Sequence, residues 1–209
     1  MTDTAIVTGA SSGLGLEIAR QLTARGMEVI GVARRESPFT TVRGDAACVE
    51  TAQLAIGAAK VRGALRLLVN CAGVGIYGPA GSYDEQAIRR VIEANLVTTI
   101  VFCNAVFPVM RAEGKGTIVN VLSTAALVGK PNETVYCAAK WGARGYSEAL
   151  RAEAKGTGVR VLSAAPGGMR TPFWPDDRAG FMDPSEVAAI ILDAVFRPLA
   201  VTDLVIQRT

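Results

Sequence analysis

Thr4-Ala5-Ile6-Val7-Thr8 is a short apolar run that leads straight into Gly9-Ala10-Ser11-Ser12-Gly13-Leu14-Gly15. From there Leu14, Ile18, Ala19 and Leu22 recur at helical spacing. A buried strand, a glycine turn and a helix, in that order, predict an anion-binding unit. Backbone N–H groups and the positive end of the helix dipole face a pyrophosphate, and glycine lets it approach closely. The spacing is G-x-x-x-G-x-G, and no lysine follows the last glycine, so a Walker loop does not fit. A plain glycine-rich turn is the alternative; the flanking strand and helix argue against it.

That first unit sets the pattern for the rest of the chain. Gly26 ends the helix and Glu28 to Ala33 is a second buried strand; Thr40–Gly44, Leu65–Val69, Thr117–Ser123, Val159–Ala165 and Leu204–Gln207 read as five more. Helices are predicted over Cys48–Lys60, within Asp84–Arg111, over Tyr136–Lys155, and from Asp183 to about Phe196. Such alternation predicts an α/β fold: one doubly wound, Rossmann-type parallel sheet of about seven strands, with residues 1–209 as a single domain. One connection is too short for the pattern. Residues 34–39 alone join the second and third strands, where parallel neighbours usually need a dozen or more residues and a helix. Six residues can reach back roughly 20 Å when extended, so a crossover without a helix is expected.

Ligands of such sheets bind outside the carboxyl ends of the strands. Gly9, Arg34, Asp45, Asn70, Ser123 and Pro166 all fall at or just beyond those ends. About 20 residues past the glycine loop, where an NAD site carries Asp or Glu for the ribose 2′-hydroxyl, this chain has Ala33, Arg34 and Arg35. Guanidinium groups bind a 2′-phosphate through charge-assisted hydrogen bonds, so NADP(H) is the expected cofactor. Asp45 is placed to reach an adenine ring or to cap the following helix. Asn95 interrupts an apolar face of Ile88, Val91, Ile92 and Leu96, and must find partners as a structural amide or as part of a polar relay.

Tyr136-Cys137-Ala138-Ala139-Lys140 stands thirteen residues after Ser123. Positions i and i+4 share a helix face, so a phenol and an ammonium can point into one cleft. The cation favours the phenolate and would lower the tyrosine pKa from its usual ~10. Such a tyrosine exchanges a proton with a carbonyl or alcohol oxygen, which the Ser123 hydroxyl could also bind. Alone, the stretch reads equally well as an amphipathic helix with one tyrosine and one lysine. A hydride source beside it decides between the two.

Composition narrows the chemistry further. With no histidine in 209 residues, a Ser-His-Asp triad, a Cys-His pair and a histidine-ligated metal are excluded. A net charge of +3 without a basic run argues against nucleic acid as partner. Cys48, Cys71, Cys103 and Cys137 have no paired spacing and read as reduced, mostly buried thiols with no metal role. Strand-like sequence begins at Thr4 with no leader before it, and Leu96–Met110 falls short of the ~20 residues a membrane span needs. A cytoplasmic location without a membrane partner is the expectation.

Taken together, Thr8-Gly9-x-x-x-Gly13-x-Gly15, Asn70-x-Ala72-Gly73, Asn95, Ser123, Tyr136-x-x-x-Lys140 and Pro166-Gly167…Thr171 closely resemble the short-chain dehydrogenase/reductase family. Their order and spacing match over essentially the whole chain. The resemblance implies an NADP(H)-dependent oxidoreductase acting on a small carbonyl or alcohol substrate. It implies four catalytic positions: Tyr136 as general acid/base, Lys140 on the nicotinamide ribose and lowering the tyrosine pKa, Ser123 orienting the substrate oxygen, and Asn95 holding a relay water. Cofactor contacts would come from Gly9, Ser11, Ser12, Gly13, Leu14 and Gly15, and from Arg34 and Arg35. Asp45, Ala46, Asn70, Ala72 and Gly73 would continue the site, with Tyr136 and Lys140, and then Pro166, Gly167, Met169 and Thr171. The helices starting near Asp84 and Tyr136 would pair with their copies in a homodimer or homotetramer.

Three departures stand out: Cys71 for a usual asparagine, Arg66 for a common aspartate, and the absent crossover helix. A substrate loop is expected at 172–183, with Phe173, Trp174, Phe181 and Met182 as an apolar wall and Asp176, Asp177 and Arg178 solvated. So short a loop predicts an open, permissive pocket for small aldehydes, ketones or hydroxy acids. Arg170 is readable there as a carboxylate clamp or as an ordinary family residue. An NADP-binding sensor without turnover is the alternative class, though a sensor does not require the four catalytic positions.

Overall fold

A computed structural model describes residues 2–174 and 180–208; the expectation that Asp176, Asp177 and Arg178 are solvated falls outside the described residues. Seven strands form one sheet in the order β3-β2-β1-β4-β5-β6-β7. They are β1 (Asp3–Thr8), β2 (Glu28–Ala33), β3 (Thr40–Arg43), β4 (Ala64–Asn70), β5 (Gly116–Val121), β6 (Val159–Pro166) and β7 (Asp203–Ile206). Every neighbouring pair is parallel. The helices are α1 (Gly13–Ala24), α2 (Val49–Arg62), α3 (Glu85–Ile92), α4 (Thr98–Ala112), α5 (Thr134–Glu153) and α6 (Pro184–Val195).

The central strands are buried on both faces, which is why they read as continuous apolar runs. Alternate residues serve opposite layers. Ala5 and Val7 meet Leu14, Ile18 and Leu22 of α1 and Ile191 of α6. Ile6 and Ile30 join Phe102, Val106 and Met110 of α4 on the other face. Arg66, at the position where an aspartate is common, pairs with Glu113 at 2.6 Å and Asp3 at 3.7 Å, tying the start of β4 to the ends of α4 and β1.

Residues 34–39 cross from β2 to β3 without a helix. The crossing lies so close to β2 that a methyl group on Gly31 would stand 1.8 Å from the Phe39 carbonyl oxygen. Only hydrogen fits there.

Between α3 and α4 the backbone makes a π turn over Glu93–Val97, so Glu85 to Ala112 is one 28-residue helix. Asp84 starts it, its carboxylate accepting the Ala87 N–H at 2.7 Å. This helix is long and apolar enough to cross a membrane by length and composition. Its Phe102, Cys103, Val106 and Met110 are nevertheless fully buried against the sheet, as a core helix requires.

Candidate active site

One cavity of about 790 Å³ opens along the carboxyl ends of β1, β2, β4, β5 and β6. Its walls include all four catalytic candidates and every expected cofactor contact except Asn70.

At one end the turn after β1 makes the floor. Gly9 and Gly13 hold φ of 73° and 56°, in the left-handed region that glycine tolerates. A methyl on Gly15 would lie 2.4 Å from the Gly9 carbonyl oxygen, so the turn closes only with glycine. Thr8 Oγ1 accepts the N–H groups of Cys71 and Ala72 at 3.0 and 3.1 Å, fastening the loop after β4 to the end of β1. Ser12 precedes α1, but its hydroxyl does not cap the helix; it accepts instead from Arg35 Nη2 at 3.1 Å. The first N–H groups of α1 therefore face the cavity beside a guanidinium, a setting suited to phosphate.

Of the two expectations for Asp45, the helix cap is not found: Cys48 is the N-cap of α2 and no side chain caps it. Asp45 lines the cavity, and its carboxylate accepts the Ala47 N–H at 2.9 Å, ordering the turn before α2.

Asn70 does not reach the cavity wall. Its amide is buried beneath the sheet, donating to Asn120 Oδ1 at 2.9 Å and Cys103 Sγ at 3.2 Å. Asn120 in turn donates to Ser147 at 2.8 Å, so this polar group knits β4, β5, α4 and α5 together. Cys71, in place of a usual asparagine, lines the cavity half-buried; burial pushes its thiol up to about 12, with Lys140 pulling the other way.

At the other end β5 delivers Ser123 and α5 delivers Tyr136 and Lys140. Ser123 starts a 3₁₀ turn, its hydroxyl accepting the Ala125 N–H at 3.1 Å. Tyr136 is only 7% exposed. Lys140 is equally deep and donates to the Val121 carbonyl at 3.0 Å. Asn95 sits in the π turn, donating to the carbonyls of Val91 at 2.9 Å and Val74 at 2.8 Å. Its Oδ1 is buried without a partner among the described residues, and a methyl on Gly73 would come within 2.7 Å of it. A π turn is a common device for aiming one side chain at a functional site.

The expected drop in the tyrosine pKa does not occur in the chain by itself. Burial holds the Tyr136 phenol well above the usual tyrosine range; the Ser123 hydroxyl opposes this, and Glu133 adds to it. Lys140 offers little compensation. Its ammonium lies 5.8 Å from the ring centroid, and burial pulls its own pKa down to about 8. Two buried groups of opposite type both shift toward neutrality because desolvation outweighs their attraction.

Described residues of the segment 172–183 pack their rings toward Tyr136. Tyr77 meets Tyr136 edge-on at 5.6 Å and stacks on Trp174 at 5.1 Å, while Phe173 lies 6.0 Å from Tyr136. Phe181 supports Trp174 from behind at 5.4 Å, and Met182 pairs with Met169. Arg170 is no substrate clamp here: it donates to the Phe181 carbonyl at 2.9 Å and to Asp183 at 3.1 Å, pinning the loop. Tyr77, Arg90, Lys130 and Glu133 also line the cavity and escaped the sequence reading. They lie in loops or on an exposed helix face, where no periodicity singles them out.

The sequence profile of the short chain dehydrogenases matches residues 3–180. The trans-4-hydroxycyclohexanecarboxylate dehydrogenase of Sinomonas cyclohexanicum is 32% identical over 200 residues, covering 85% of this chain and 76% of that protein. A variant of actinorhodin polyketide ketoreductase crystallised with NADPH superposes with a TM-score of 0.89 at 27% identity, over 99% of this chain and 96% of its own. A short chain dehydrogenase of Burkholderia cenocepacia in complex with NADP gives 0.88 at 29% identity, over 98% and 88%.

Proposed function

Because this chain belongs to the short-chain dehydrogenase family of oxidoreductases, we propose that it interconverts a small carbonyl compound and its alcohol with NADP(H). Tyr136 is the general acid/base of this reading, Ser123 orients the substrate oxygen, Lys140 holds the nicotinamide ribose and Asn95 extends the proton relay. The observation that carries it is one cavity joining the glycine-lined helix terminus to Ser123, Tyr136 and Lys140.

NADPH, held by the glycine turn and the residues around it, would supply a hydride for the carbonyl carbon. The chain's own task is then to position the carbonyl and deliver a proton to its oxygen. A phenol carries its proton at neutral pH and can give it to that oxygen, although burial in the chain alone makes Tyr136 a weaker acid; Ser123 can donate a second hydrogen bond to the same oxygen.

The choice of NADP over NAD rests on Arg34 and Arg35. Both line the cavity beside the α1 terminus, and residues 33–35, where an NAD site carries Asp or Glu, hold no carboxylate. Arg34→Ala is expected to weaken NADPH about 10- to 100-fold, as loss of charge-assisted hydrogen bonds implies, with much less effect on NADH. Fluorescence titration with both cofactors measures this; equal losses, or tighter NADH binding in the parent, would remove the assignment.

A homodimer or homotetramer completes the proposal. Ile88 of α3 and Trp141 of α5 are 41% and 48% exposed, on two helices that share a core cluster through Val91 and Tyr136. A monomer mass by light scattering at micromolar concentration would count against it.

A further inference from the structure

The cavity end beyond Tyr136 carries a cation that carbonyl reduction as such does not require. Lys130 lies between the 3₁₀ turn Thr124–Ala126 and α5, half-buried, in the same wall as Ser123 and Tyr136. Its ammonium donates to Thr124 Oγ1 at 2.8 Å. Thr124 is buried and adjoins Ser123, so this bond draws the cation back toward the residue placed to orient the substrate oxygen. An ammonium has three donors, and this contact uses one. Among the described residues no ion pair includes Lys130.

The other charges at this end differ in kind. Arg90 and Glu93 are exposed on the outer face of the long helix, one turn apart. Glu133 already has an interaction partner. The same cavity is lined by the mutually packed rings of Tyr77, Phe173 and Trp174. The pocket thus offers hydroxyl groups for an oxygen, an apolar wall for a carbon skeleton, and an ammonium with donors to spare.

Given the carbonyl reduction proposed above, on which this step rests, we propose that the substrate is a carbonyl acid whose carboxylate is recognised by Lys130. The acid group binds at the ammonium, the hydrocarbon part lies against the aromatic wall, and the carbonyl oxygen meets Ser123 and Tyr136. A single ammonium with two open donors suits a monoanionic carboxylate.

The test compares near-isosteric pairs: 4-oxocyclohexanecarboxylate against its carboxamide, and 3-oxobutanoate against 3-oxobutanamide, followed by NADPH oxidation. The parent is expected to favour the carboxylate of at least one pair by about 10- to 100-fold in kcat/KM, the scale of a charge-assisted hydrogen bond. Lys130→Met is expected to cut that ratio at least about tenfold by the same measure, and Lys130→Arg to keep most of it. A merely structural role would lower both members of a pair together and leave the ratio alone. Neutral ketones reduced as well as the acids, or a ratio indifferent to Lys130→Met, overturns Lys130 as the acid-binding residue while carbonyl reduction stands. Should the methionine variant fail to melt cooperatively, the parent's ratio and the arginine variant still decide. If no carbonyl of either kind is reduced, both readings fall.

Discussion

Tyr136→Phe is expected to lower turnover about 10²–10⁴-fold, the usual contribution of a general acid. NADPH binding by titration should stay within a few-fold of the parent. The ring is held by its neighbours rather than by its hydroxyl: Tyr77 at 5.6 Å and Phe173 at 6.0 Å contact faces that phenylalanine keeps. Removing the oxygen therefore deletes the proton donor and leaves the wall of the cavity in place. Single-turnover rates with saturating NADPH separate loss of chemistry from loss of binding. Near-parent turnover would take Tyr136 out of the mechanism, and Ser123 would then be the group to examine.

Lys140→Met should split stability from activity. The buried ammonium has its pKa drawn from the usual lysine range to about 8, chiefly by desolvation. Between about pH 8 and 10.4 the folded chain thus binds fewer protons at this site than the unfolded chain, so its contribution to stability rises with pH across that window. Below pH 8 both states carry the proton, and the full cost of burial, about 3 kcal/mol, is present. The methionine variant escapes that cost. In the cofactor-free chain it is expected to melt about 6–12 °C above the parent at pH 7, less whatever the lost Val121 hydrogen bond contributes. The gap should narrow above pH 8. Tyr136, whose phenol resists ionisation when folded, withdraws stability only above about pH 10, and it does so in both chains. On the proposed role of Lys140 at the nicotinamide ribose, turnover should meanwhile collapse. A variant no more stable than the parent at pH 7, or a gap that widens with pH, would show that Lys140 is not buried at a loss.

Features that repeat or that demand glycine were legible in the chain. Seven strand-like segments announced the seven-stranded sheet, and the six residues after Ala33 announced a crossover without a helix. Gly9, Gly13 and Gly15 declared their turn because few other residues could make it. Side-chain direction was harder to read. Asn70 ends its strand at the cavity rim, yet its amide turns under the sheet to Asn120, a partner fifty residues away that no local pattern reveals. Burial was hidden for the same reason. The spacing of Tyr136 and Lys140 set their proximity, whereas the burial that governs both pKa values depends on packing that spacing does not show, such as Tyr77 and Phe173 against the Tyr136 ring. Lys130 carried no signal because its meaning depends on Thr124 and on a cavity that exists only once the sheet has formed.

The π turn at Glu93–Val97 has a consequence for how such a chain could change length. Each residue added to an α-helix rotates everything after it by about 100°, which would turn Phe102, Val106 and Met110 out of the core. A π turn absorbs one surplus residue and leaves the phase of the following helix unchanged. The helix from Glu85 to Ala112 can therefore be regarded as an ordinary core helix bearing a one-residue insertion at the site. Deleting one residue within the turn would restore a regular helix with the same buried stripe, yet remove the bulge that presents Asn95 to Gly73. Architecture and the presentation of Asn95 are separable here by a single codon.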